Sequence, residues 1–285
     1  MKCSPIRLAA AVLALVGLLG IALPKPLQAL ESDWSAVGNS ARARLVAGTV
    51  EKAGSSHLYA FVDIEMADGW KTYWRNPGDA GGLPPVFDLA ASGNVTSVSV
   101  LFPAPKRLVD KSGNTLGYKG HVVFPIEIVA TEADKAVTLR LDARYGLCKD
   151  ICIPAEASFE LEVPTGSIAL SDAALAALAH VPRDASVAGP DDPVLAAVKP
   201  DLASSKPKIV LETTFSGDGK GADVFLEAPD SLYIPVPVKT GGSGGSLTFE
   251  VDLSDGVDLA ALKGKTLTAT LVSDAGQSAA TFKVD

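Results

Sequence analysis

"AVTLRLDARYGLCKDICIPAEASFELEVP" (residues 136–164) reads as strand, short turn and strand: "AVTLRLDARY" runs through Gly146 into Cys148, and "ASFELEVP" leaves shortly after Cys152. The two cysteines therefore fall at the end of a β-hairpin, one near each strand, at a separation a disulfide can span. Upstream, "ARLVAGTV", "HLYAFVDIEM", "WKTYWR", "VTSVSVLF" and "HVVFPIEIVA" are further alternating or β-branched runs. "NPGDAGGLPP", "KSGNTLG" and "TEAD" lie between them and supply the residues that turns need. In "HLYAFVDIEM" the residues Leu58, Ala60, Val62, Ile64 and Met66 share one face. Strands at this spacing, with no helical period between them, predict an antiparallel β-sandwich.

The first thirty residues have a basic start (Lys2, Arg7), an apolar run from Leu8 to Leu23 and small residues before a cleavage site after Ala29. That pattern predicts a cleaved signal peptide over 1–29 and a periplasmic location. Cys3 would leave with it. No later stretch is apolar enough to span a bilayer, so the mature chain is expected to be soluble. Its loss removes three basic residues and no acidic one, taking the net charge from −8 to −11. Such a balance argues against nucleic acid and against anionic lipid.

The pattern changes over 166–205. "SDAALAALAH", with Ser171 or Asp172 as cap, predicts a short helix, and "DDPVLAAVKP" another turn or two, as an interdomain connection. From 206 to 285 strands return in "KIVLETTF", "ADVFLEA", "LYIPVPVK", "SLTFEVDL", "TLTATLVS" and "AATFKVD". "GGSGG" (241–245) is expected to be a loose hairpin loop. This second, smaller all-β domain has no cysteine, histidine or tryptophan and reads as a scaffold or docking module.

The C-x-x-x-C pair admits three chemistries. As a staple it is weak: closing five residues is worth about 2 kcal/mol in the chain-entropy model. As a redox pair it would be of the short-loop, labile kind, with Arg144 or Lys149 favouring a thiolate and Asp150 and Glu156 opposing it. As a soft-metal site it would hold Cu(I) through two thiolates, with ligands from His57 or His121 brought in by the fold, because no methionine follows. No hydrolytic arrangement, phosphate loop or H-E-x-x-H is present.

"YGLCKDICIPAEASFELEVP", with "DGWKTYWRNPGDAGGLPP" and "GYKGHVVFPIEI" upstream in the same order, resembles the periplasmic N-terminal domain of the thiol:disulfide interchange reductase DsbD, in the variants found in copper-sensitivity-suppressor reductases. The resemblance covers about 35–165, and 206–285 resembles, more weakly, the second β-domain of the longer variants. It implies an immunoglobulin-like sandwich over 30–165 carrying a redox-active Cys148–Cys152 pair, followed by a second β-sandwich. No cofactor and no bound metal are expected, the redox group being the Cys148–Cys152 disulfide itself. A membrane-embedded thiol reductase would donate electrons, a periplasmic thioredoxin-fold protein would accept them, and the settings would be cytochrome c maturation or copper tolerance. By motif position Cys152 forms the mixed disulfide and Cys148 resolves it. The best-known member separates its cysteines by five residues and shields them with an aromatic cap loop. Here the matching segment, 110–115, has no aromatic, so Trp74, Tyr118 or Tyr145 is expected to cover the pair, with Pro154 beside it. The chain is expected to act as a stand-alone relay, since neither a membrane domain nor a thioredoxin domain follows. A periplasmic copper-binding or adaptor module using the same thiols is the alternative.

Overall fold

The computed structural model describes residues 30–285 except Ala53, Lys111, Ser112, Asp230 and Ser231. The expected signal peptide, and part of the segment matching the family's cap loop, lie outside the described residues. The first sandwich is built from β1 (Leu30–Glu31), β2 (Ser35–Val37), β3 (Ala41–Lys52), β4 (Ser55–Met66), β5 (Lys71–Tyr73), β6 (Val86–Asp88), β7 (Val95–Val100), β8 (Lys106–Asp110), β9 (Gly113–Lys119), β10 (His121–Ala130), β11 (Val137–Cys148) and β12 (Cys152–Val163). One sheet runs β1-β3-β4-β10-β7 with β2 on β3; the other runs β12-β11-β5-β9-β8 with β6 on β11.

The core lies between these sheets. Ala60, Val62, Ile64 and Met66 of β4 meet Leu139, Leu141, Tyr145 and Leu147 of β11 there, as strand alternation requires. The opposite face of β4 is buried too. Tyr59 and Phe61 pack under α1 (Asp172–Ala179), whose Ser171 cap accepts the Ala174 amide. Pro125 is tolerated inside β10 because its carbonyl, and hence its missing N–H, faces Leu101, just past the end of β7.

After α1 come β13 (Arg183–Asp184), β14 (Val194–Asp201), β15 (Lys208–Thr214), β16 (Asp223–Glu227), β17 (Val238–Ser243), β18 (Ser246–Asp252), α2 (Leu259–Leu262), β19 (Thr266–Val272) and β20 (Gln277–Lys283). They form two four-stranded sheets, β13-β20-β19-β16 and β14-β15-β18-β17, around Ile209, Phe249, Val251 and Leu271. Two expectations are corrected here. Val194–Asp201 is an edge strand on β15 rather than helix, since Pro193 and Pro200 leave no room for more than two helical turns and pairing with β15 wins. Gly241 to Ser243 are not loose loop but the end of β17, paired to β18 with Ser243 opposite Ser246.

The two sandwiches touch over a broad contact. Phe225 and Val236 of the second are buried in the same cluster as Trp74, and the Trp74 and Phe225 ring centroids lie 6.0 Å apart.

Candidate functional site

Cys148 and Cys152 close the β11–β12 hairpin as its last opposed pair, with Cα atoms 4.1 Å apart and a disulfide between them. Lys149, Asp150 and Ile151 make the turn, in which the Lys149 amide donates to the Ile151 carbonyl at 3.1 Å. The bond is asymmetric in its surroundings: Cys148 is 1% exposed, whereas Cys152 is open to solvent.

Strand alternation decides what lies beside the sulfurs. Tyr145 and Leu147 point into the core, so Gly146 and Cys148 point to the outer face of the sheet. Cys148 is directly opposed to Lys71 on β5, which puts Lys71 and Tyr73 on that outer face and Thr72 and Trp74 on the inner one. The Tyr73 hydroxyl lies 2.7 Å from Cys148 Sγ and 3.3 Å from Cys152 Sγ. Neither sulfur of a disulfide carries a proton, so the hydroxyl is the donor.

Tyr73 is 4% exposed because the chain between β5 and β6 folds over it. A Cβ on Gly82 would stand 2.2 Å from Tyr73 Cε1, and one on Gly146 2.9 Å from Cε2, so only glycines allow the ring to lie between loop and strand. The Gly146 amide donates to the Leu83 carbonyl at 3.0 Å, tying this roof to the strand that carries Cys148. Lys71, 7% exposed, donates from Nζ to Thr115 Oγ1 at 3.0 Å.

Trp74, Tyr118 and Tyr145 sit on the other side of the sheet, in the core, and the ring beside the sulfurs is Tyr73. Burial pushes the Tyr145 phenol up to about 12 and the Tyr118 phenol well above its ordinary value, so both stay neutral. Tyr118 donates to the Pro103 carbonyl at 2.7 Å. Pro154 is exposed on the outer face, opposed to Gly146 and two residues along β12 from Cys152. Of the cations considered, Lys149 donates to the Asp68 carbonyl at 3.1 Å and Arg144 opposes Glu156. The cation opposed to Cys148 is instead Lys71. Tyr73 and Lys71 were both in plain view within "WKTYWR". Their alternation against Trp74 was legible, but its phase relative to Cys148 depends on a register between strands seventy residues apart.

The histidines do not converge on the cysteines. His57 lies 3.4 Å from Glu127 Oε1, His121 2.7 Å from Asp63 Oδ1, and His180 2.7 Å from the Ala176 carbonyl. Among the described residues no group of three His, Cys, Asp or Glu side chains is placed to hold a metal ion.

Residues 47–164 match the family described as thiol:disulfide interchange protein DsbD, N-terminal. Among solved structures, the N-terminal periplasmic domain of ScsB from Proteus mirabilis superposes with a TM-score of 0.68 at 23% identity, covering 90% of this chain and 99% of that one. The fold likeness therefore spans both sandwiches. No curated protein sequence matches the chain. The cysteine hairpin and the strands from β4 to β12 fall within the stretch, residues 47–164, that is similar to the DsbD N-terminal, thiol:disulfide interchange, family.

Proposed function

We propose that this protein is a periplasmic thiol–disulfide relay. It takes two electrons from a membrane-embedded thiol reductase and passes them to a thioredoxin-fold protein through Cys148 and Cys152. The observation that carries the reading is the unequal exposure of the two sulfurs, with the buried one on the Tyr73 hydroxyl.

A donor thiolate attacks the accessible Cys152 Sγ, the Cys148–Cys152 bond breaks, and Cys148 leaves as a thiolate that the Tyr73 hydroxyl stabilises before it takes a proton. The donor's second thiolate then attacks its own sulfur in the mixed disulfide and releases Cys152, leaving the donor oxidised and this pair a dithiol. In the second half, the Cys152 thiolate attacks the acceptor disulfide. Cys148 displaces the acceptor sulfur from Cys152, and the acceptor departs as a dithiol. Ile151, 69% exposed in the turn between the cysteines, offers an apolar contact to either partner.

Cys148→Ser leaves Cys152 free with nothing to resolve it and should accumulate a mixed disulfide with a thioredoxin-fold partner; Cys152→Ser should not. Trapping by Cys152→Ser alone would exchange the two roles. The reduction potential of the pair should fall among working oxidoreductases, between about −270 and −120 mV, and a value below about −300 mV would make the bond structural.

A further inference from the structure

The loop roofing Tyr73 is gripped from behind by the second sandwich. Arg75 makes a two-pronged pair with Glu227, at 2.6 and 2.7 Å. Asn76 Nδ2 donates to the Leu226 carbonyl at 2.8 Å. Asp79 Oδ1 accepts from the Val236 amide at 3.0 Å and the Tyr233 hydroxyl at 3.1 Å. Within the first sandwich the same loop is fastened to β9: the Leu116 amide donates to Pro77 O at 2.9 Å, the Ala80 amide to Asn114 O at 3.0 Å. Three positions later Gly82 and Leu83 close over Tyr73 and Gly146. A continuous set of contacts thus runs from β16 through the loop and Tyr73 to Cys148 Sγ.

We propose that the second domain is a positioning element of the cysteine site: through Glu227 and Tyr233 it holds residues 75–83 closed on Tyr73, and so governs access to Cys148 and the alignment of the Tyr73 hydroxyl with its sulfur. The proposal rests on the relay reading, because access matters only if the disulfide opens. It gives the second sandwich a task at the site although both sulfurs and the Tyr73 hydroxyl on them belong to the first. Buried thiols react through local opening, and a loop held by two domains opens less than one held by a single domain.

The test uses the chain from residue 30 to residue 285, both sandwiches together and without Cys3, in a Cys152→Ser background, where iodoacetamide alkylation reads Cys148 alone. Glu227→Ala with Tyr233→Phe removes the two side-chain contacts that the second domain makes to the loop and leaves the backbone contacts of Leu226 and Val236 in place. Asp223→Ala is the matched control, since Asp223 pairs with Arg107 on β8, at 2.9 and 2.5 Å, and leaves the loop alone. The double variant should be alkylated about fivefold faster, the factor expected when an opening equilibrium loses one modest interaction, and the control should match the parent. Equal rates in parent and double variant, or an equal rise in the control, would overturn the proposal. Tyr233→Phe removes a single hydroxyl and keeps the test open if the double variant folds poorly; it should give a smaller rise in the same direction. Exchange of the unmutated pair with a thioredoxin-fold disulfide is read separately. Failure there with a positive alkylation result sinks the relay and leaves the positioning intact.

Discussion

Gly146 and Tyr73 are matched as slot and blade: a methyl group on Gly146 would stand 2.9 Å from the ring and 3.0 Å from Leu83 Cβ and from the Leu83 carbonyl oxygen. Gly146→Ala should therefore lift both ring and roof. Overpacking of this kind costs about 1–3 kcal/mol, and thermal melting together with faster alkylation of Cys148 would register it. Unchanged melting and reactivity would mean that the roof gives way without consequence.

Tyr73→Phe keeps the ring and deletes only the hydroxyl. Loss of a hydrogen bond to a buried, charged leaving sulfur should slow opening of the disulfide by dithiothreitol about tenfold, or ~1.4 kcal/mol, with little change in stability. A rate equal to the parent's would remove Tyr73 from the mechanism.

Replacing both cysteines by alanine should cost only about 2 kcal/mol, because the ring they close holds five residues. For a chain of this size that lowers Tm by roughly 4–8 °C, and the variant should stay folded while losing all exchange. Collapse of the fold would show that the bond is a staple after all.

On the other sheet, Asp63 is 4% exposed and binds His121 and Arg44. Its hydrogen bond raises His121 above 6.5; burial opposes the shift, and the Asp63 and Glu65 charges outweigh Arg44. Desolvation acts to raise Asp63, but the bonds from His121 and Arg44 prevail and hold it below 3.8. The His121 contribution is complete below its unfolded value and disappears as pH rises through the folded one, and the Asp63 contribution disappears as pH falls through its depressed value. Stability to urea should therefore drop between pH 6 and 8 by less than about 1 kcal/mol, since His121 is half exposed. His121→Gln should flatten that drop, and a drop that survives the substitution would assign it elsewhere.

Much of the fold was readable residue by residue. "HVVFPIEIVA" coincides with β10, and the inward residues of "HLYAFVDIEM" are those buried between the sheets. Local alternation carries that information. What it does not carry is the pairing between distant strands, and the errors follow from this. Trp74, Tyr118 and Tyr145 are as aromatic as Tyr73, and only the opposition of Cys148 to Lys71 puts Tyr73 on the sulfur side. The same pairing makes Lys71, rather than Arg144 or Lys149, the opposed cation. "DDPVLAAVKP" has helix-compatible residues, and its strand exists because β15 has an edge to fill.

Phe225 and Val236 are buried with Trp74, and this alters what counts as a unit of folding. By architecture there are two sandwiches, but a buried cluster shared between them should couple their unfolding. A scanning calorimeter should record a single transition for the full chain. A fragment cut near residue 165 would present Trp74 to water and carry an unsupported roof, making it a poor substitute for the intact protein in any assay of the thiols.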